Sequence, residues 1–225
     1  MSARCWLASC LNGTKYNGVN RRLMTGATTS KKTDATKPGR LVLTRHGKPA
    51  LDRSKRVSSA GYYSWWQAYE AGGLDPASKP PQTLKDIAKN SDKVLSSIRL
   101  RAVQTAQALV SDDQIIRHEV FVEAALPAPP FALIQMKPSA WDVWSRFLWW
   151  LGMSRGEESK AQAETRAFAA VDELERASAD GSDVLLCAHG WFNRMMRPVL
   201  QARGWDCIYD GRDEYWAFRC YEKRC

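Results

Sequence analysis

This sequence predicts an α/β fold, a three-layer sandwich with a mostly parallel central sheet, and three observations carry the prediction. Short apolar runs alternate with segments of helical spacing from Leu41 to Tyr221, which is the pattern of parallel strands joined by crossover helices. Two of those runs, Leu41–Arg45 and Asp183–Ala188, end in the same dipeptide, His46-Gly47 and His189-Gly190. These are two of only three histidines in the chain. Ligands in such sheets bind beyond the carboxyl ends of the strands, so both imidazoles fall where a pocket forms.

Taken in order, Leu41–Gly47 is a buried strand that delivers Arg45 and His46 onto a turn eased by Gly47. After a polar, basic connection, Ser58 or Ser59 caps a helix running through Tyr69. Its aromatic stripe of Tyr62, Trp65, Trp66 and Tyr69 reads as core, and Gly72-Gly73 ends it. Thr83–Lys89 reads as a short helix, Lys93–Ser97 as a second strand, and Arg101–Val110 as a helix burying Leu100, Val103, Ala106 and Val110. Arg101 opposes the positive end of that helix's macrodipole, which points to an anion sharing the site. Ile115–Val122 reads as the third strand, with His118 facing solvent and Glu123 at its end. Leu126–Pro130, LPAPP, then forces a stiff excursion.

Trp141–Leu151 is apolar on most sides and is expected to be buried or to line a pocket. Glu158–Ala177 is an amphipathic helix with Phe168, Val171 and Leu174 inward, closed by Ala179–Gly181. Phe192, Met195, Met196, Val199 and Leu200 give the helix after His189, with a kink expected near Arg197 because of Pro198. Tyr215–Tyr221 alternates as a last strand.

The 225 residues suit one domain, and 44% hydrophobic with 25% charged residues is ordinary for a globular protein. No run approaches bilayer length, so a soluble protein with no membrane partner is expected. The net charge of +9 suggests nucleic acid until it is located. Residues 1–40 hold Arg4, Lys15, Arg21, Arg22, Lys31, Lys32, Lys37 and Arg40 against Asp34 alone, so all but two of the nine charges lie there. The folded part is near neutral and a nucleic-acid partner is not expected. Residues 1–39 read as a basic, disordered extension and 40–225 as the domain, with a Pro/Trp-rich insert at about 126–156. The extension resembles a transit peptide, but a start at Met24 is the simpler account; Cys5–Leu11 is too short and interrupted for a secretory signal. The six cysteines show no metal-ligand spacing and no disulfide-rich context, so free thiols in a cytoplasmic setting are expected.

If His46, Arg45, Arg101, Glu123 and His189 converge, they suit phosphoryl transfer. Neutral imidazole is a nucleophile near pH 7, and planar guanidinium forks with a second imidazole hold the equatorial oxygens. Glu123, beside an apolar wall, is placed to protonate a leaving alkoxide. Arginines beside both histidines would repel a cation, so no metal or other cofactor is expected.

Several motifs in order resemble the histidine phosphatase superfamily, also called phosphoglycerate mutase-like. They are RHG at Arg45–Gly47, the segment from Ser97 through Arg101, Gln104, Thr105 and Ala106, Gly156–Ser159 before Arg166, and AHG at Ala188–Gly190. The resemblance implies a phosphorylated His46, a phosphate pocket of Arg45, Arg101 and His189, and Glu123 as acid. Lys48 and Asp52 replace the Glu and Asn that many members carry after RHG, and LPAPP replaces a glycine-containing segment. The function expected is a phosphomonoesterase acting on a small phosphorylated metabolite. The alternatives are a mutase-type phosphotransferase, a protein phosphohistidine phosphatase and a non-catalytic phospholigand-binding module.

Overall fold

The computed structural model describes residues 37–131, 134–155 and 157–224. Expectations for the extension, including Met24, Cys5 and Cys10, fall on residues outside that range. Near the start of the described residues the Gly39 amide donates to the Ser178 carbonyl (3.0 Å) and Arg40 pairs with Asp183 (2.5 Å).

A six-stranded sheet has the order β3-β2-β4-β1-β6-β5. Its strands are β1 (Leu41–Arg45), β2 (Lys93–Ser97), β3 (Ile115–His118), β4 (Val184–Ala188), β5 (Trp205–Asp210) and β6 (Phe218–Lys223). The first four are mutually parallel, and β6 and β5 add an antiparallel edge. The near-continuous apolar run of β4 is what burial on both faces demands. Leu41, Leu43, Leu95, Val184, Leu186 and Ala188 pack on one side against α5 (Lys160–Ser178) and α6 (Gly190–Ala202). Val42, Val94, Leu185 and Cys187 pack on the other against α2 (Gln82–Asn90) and α3 (Leu100–Gln107). The remaining helices, α1 (Ser59–Ala71) and α4 (Pro138–Trp150), pair with each other above the carboxyl edge of the sheet. No described helix is long and apolar enough to cross a membrane.

Several sequence expectations need correction. The third strand ends at His118 because a 3-10 turn, Glu119–Phe121, follows; the ring of His118 caps it by accepting from the Val120 amide at 3.0 Å. Leu100 and Phe168 are exposed, since the inward side of α3 is Arg101, Ala102, Thr105 and Ala106, and alanines line the inward side of α5. Trp205–Asp210 is a strand that periodicity did not reveal, and the last strand starts at Phe218 rather than Tyr215. The helix after His189 continues through Pro198 to Ala202. The helix read as Trp141–Leu151 begins at Pro138 and is not buried all round; Val143, Trp144, Phe147, Trp150 and Leu151 face solvent.

Candidate active site

Parallel pairing of β1 with β4 sets Arg45 opposite Ala188, so His46 and His189 leave adjacent strand ends. The His46 amide donates to the Ala188 carbonyl (2.9 Å), and the two ring centroids lie 5.3 Å apart. Both rings are buried. Glycine after each serves close packing rather than a left-handed backbone, strictly at Gly47 and less so at Gly190. A Cβ on Gly47 would stand 2.3 Å from the Trp216 ring, and one on Gly190 would stand 3.0 Å from Arg45 Nε.

The two rings are anchored differently. His46 Nδ1 lies 2.8 Å from the Gly47 carbonyl, which only accepts, so Nδ1 carries the hydrogen and Nε2 keeps its lone pair. Nε2 faces the Tyr69 hydroxyl at 3.5 Å. Burial, reinforced by Arg101 and Arg45, holds the imidazole well below its ordinary range, so it is neutral at pH 7. His189 Nε2 lies 2.9 Å from Ser97 Oγ. That hydroxyl accepts from the Arg99 amide and keeps both a hydrogen and a second lone pair, so it suits either tautomer of His189; when it donates to Nε2, the ring hydrogen sits on Nδ1. Burial, then Arg101 and His46, lower its proton affinity as well, so it is a neutral single donor.

Arg101 is wholly buried. Its Nη1 donates to the Tyr69 carbonyl (3.0 Å), its Nη2 pairs with Glu70 (2.6 Å), and it lies 4.4 Å from the centroid of the Tyr69 ring. The anion that its position in the helix implied is therefore at least partly internal, and Glu70 is a site residue that sequence reasoning missed. Arg45 sits over Tyr215 at 4.3 Å and donates from Nη1 to the Asp213 carbonyl (2.5 Å). Arg45 Nε, Arg101 Nε and His189 Nδ1 are buried and bond no described residue.

Glu123 lies at the end of its segment with both oxygens on the first turn of α6. Oε1 accepts from Phe192 N (2.8 Å) and Ala124 N (3.0 Å), and Oε2 from Trp191 N (3.2 Å). The segment is held by Arg166, which bonds the Val120 and Val122 carbonyls (2.9 and 2.7 Å) and forms a two-pronged pair with Glu158. Glu158 and Arg166 belong to the Gly156–Ser159 signal noted in the sequence, and their work is to fix Glu123 in place.

A cavity of about 250 Å³ is lined by Arg45, Tyr69, Glu123 and Gly190, with Trp66, Trp191 and Leu126 as its apolar wall, whereas His46, His189 and Arg101 are buried and are not among its lining residues. The stripe on α1 is thus only half core, because Tyr62 is packed away while Trp66 and Tyr69 face the cavity. The insert contributes Asp142 and Arg146. Asp142 accepts from the Tyr62 hydroxyl (2.8 Å) and pairs with Arg53, and its burial pushes the carboxyl above the usual carboxylate range. Arg146 lies between the Trp149 and Trp191 rings (4.7 and 4.5 Å), where burial lowers its pKa to about 10. None of Tyr69, Arg53 or Asp142 carried a motif signal. Lys48 pairs with Asp75 at the surface and Asp52 is exposed.

Three of the solved structures to which the chain is similar are these. A mycobacterial glucosyl-3-phosphoglycerate phosphatase matches at 18% identity over 73% of this chain and 80% of that one, with a TM-score of 0.48. A phosphoserine phosphatase from Entamoeba histolytica, solved as a mutant with phosphoserine, matches at 15% over 72% and 78%, TM-score 0.47. A phosphoglycerate mutase from Bacillus anthracis matches at 15% over 84% and 90%, TM-score 0.49. No curated protein matches in sequence. The profile of the histidine phosphatase superfamily (branch 1) matches residues 41–206. The chain belongs to that superfamily.

Proposed function

We propose that this protein is a phosphomonoesterase that works through a phosphohistidine on His46 and acts on small phosphate esters. The observation that carries the reading is a neutral imidazole whose Nε2 meets the Tyr69 hydroxyl at 3.5 Å, together with three buried nitrogens, on Arg45, Arg101 and His189, that bond no described residue. Unsatisfied buried donors are costly, and a phosphoryl group supplies three equatorial oxygens for them.

In the first step His46 Nε2 attacks phosphorus, the bond to the ester oxygen breaks, and its electron pair leaves with that oxygen. Positive charge growing on the ring is stabilised by the Nδ1–H bond to the Gly47 carbonyl. The departing oxygen takes a proton from a carboxyl on the cavity wall. In the second step water attacks phosphorus, gives its proton to that carboxylate, and the P–N pair returns to Nε2. Glu123 is the proposed donor, and it serves once one oxygen exchanges an amide for the leaving group. Asp142 is the second reading, favoured by the raised proton affinity that burial gives it.

Incubation of the protein with a panel of phosphate esters tests the assignment. Wild type is expected to release inorganic phosphate to water and His46→Ala is not. Return of the phosphoryl group to a second hydroxyl of the product would make the enzyme a mutase, and equal turnover by both proteins would refute the assignment.

A further inference from the structure

α4 closes one wall of the cavity with its inner side and leaves its outer side bare. Trp141, Ser145 and Trp149 are buried, whereas Val143, Trp144, Phe147, Trp150 and Leu151 are between 45% and 70% exposed. These five recur at i, i+1, i+4, i+7 and i+8, a single stripe. The rings of Phe131 and Phe147 lie edge-on to Trp144 (6.1 and 6.0 Å), so the surface is continuous. The one acid on the helix, Asp142, is turned away onto Arg53 and Tyr62.

The rim is cationic at both ends. The antiparallel bridge between Val57 and Met136 puts Arg56 beside Lys137, with Lys55 next in the chain, and all three are exposed. At the far end Arg155 is exposed and Lys160 Nζ lies 4.1 Å from the centroid of a Trp150 ring. The acids near these groups are Asp52, Glu157 and Glu164, the last paired with Lys160 at 3.4 Å.

We propose that this face of α4 docks on an anionic lipid surface. Aromatic and aliphatic side chains on one side of a helix, bordered by Lys and Arg, are what an interfacial helix presents to headgroups and acyl chains. A second copy fits less well. Two-fold pairing in either direction brings Lys137 and Arg56 against themselves or against Arg155 and Lys160. The stripe also offers on the order of 500 Å² of apolar surface, short of the roughly 800 Å² per partner of a standard interface. Residues 1–36 are themselves basic and are repelled by the same rim. The sequence argued against a membrane partner because no run spans a bilayer; lying on the surface demands only one apolar face. Val143 belongs to the stripe and to the cavity wall, so docking sets the cavity mouth at the lipid surface.

Sedimentation of the full chain with vesicles of phosphatidylcholine alone, or of phosphatidylcholine with phosphatidylglycerol, tests this. Wild type is expected to favour the anionic vesicles by about tenfold, with the difference shrinking as salt is added. The variant Trp144→Ser/Phe147→Ser/Trp150→Ser and the charge reversal Arg56→Glu/Lys137→Glu, which keeps every ring, should each lose the binding while circular dichroism and melting stay as in wild type. Three results overturn the proposal. They are no binding by folded wild type, undiminished binding by the charge-reversed and ring-deleted proteins, and a wild-type dimer that the ring-deleted variant converts to monomer.

Discussion

His46 and His189 leave neighbouring strands in the same grammar, an apolar run closed by His-Gly, and their rings meet at 5.3 Å. In the proposed reaction their surroundings give them opposite tasks. His46 is held through Nδ1 by its own following carbonyl, so its lone pair points away from the backbone. His189 is held through Nε2 by Ser97, and in the tautomer where that hydroxyl donates, the hydrogen on Nδ1 is what the ring offers. In that reaction the hydrogen bond each ring makes to its neighbour, rather than the residue or its motif, separates nucleophile from donor.

Substitutions can break that distinction. His46→Ala is expected to lower kcat at least about a thousandfold and to abolish any phosphoenzyme. His189→Ala should cost about a hundredfold in kcat, as removal of one transition-state donor does, while leaving a trappable phosphoenzyme. Steady-state and rapid-quench kinetics on both variants separate the two roles; equal loss of the intermediate would erase the difference. Glu123→Gln should slow hydrolysis of alkyl phosphates by about a hundredfold and of aryl phosphates far less. If Asp142→Asn shows that leaving-group dependence and Glu123→Gln does not, the acid lies on the insert. Ser97→Ala should cost about tenfold in kcat, because the His189 ring survives with its tautomer no longer fixed.

The shared feature of the rings, burial in the neutral form, has its own readout. Each has a folded pKa below its unfolded value near 6.5, so the unfolded chain binds more protons as acid is added. Stability is therefore full above that value and falls as pH drops below it, by up to about 1.4 kcal/mol per pH unit for each ring. Urea unfolding at pH 7.5 and 5.5 should show the loss, and His189→Asn should reduce the slope. An unchanged slope would mean that His189 is not buried neutral.

Most of the sheet and both histidine positions were legible because parallel strands write themselves as apolar runs and strand ends place chemistry. Periodicity says which residues share a face, but not what that face meets. It therefore took Leu100 and Phe168 as inward, and it could not tell that α4 leaves its stripe in water. Glu70 and Arg53 escaped notice, and Tyr69 was read only as core, because they reach the site by tertiary packing of α1 and its preceding loop, with no spacing to Arg101 or Asp142 along the chain. Trp205–Asp210 was missed as an edge strand with only one residue fully buried, which leaves little alternation to read.

The central claim is that His46, and not its neighbour 5.3 Å away, carries the phosphoryl group. Rapid alkaline quenching of the protein during turnover, followed by peptide mass spectrometry, tests it directly. The account predicts one added phosphoryl group on the peptide containing His46 and none on the peptide containing His189. Phosphoryl on His189, or steady turnover with neither peptide modified, would contradict it.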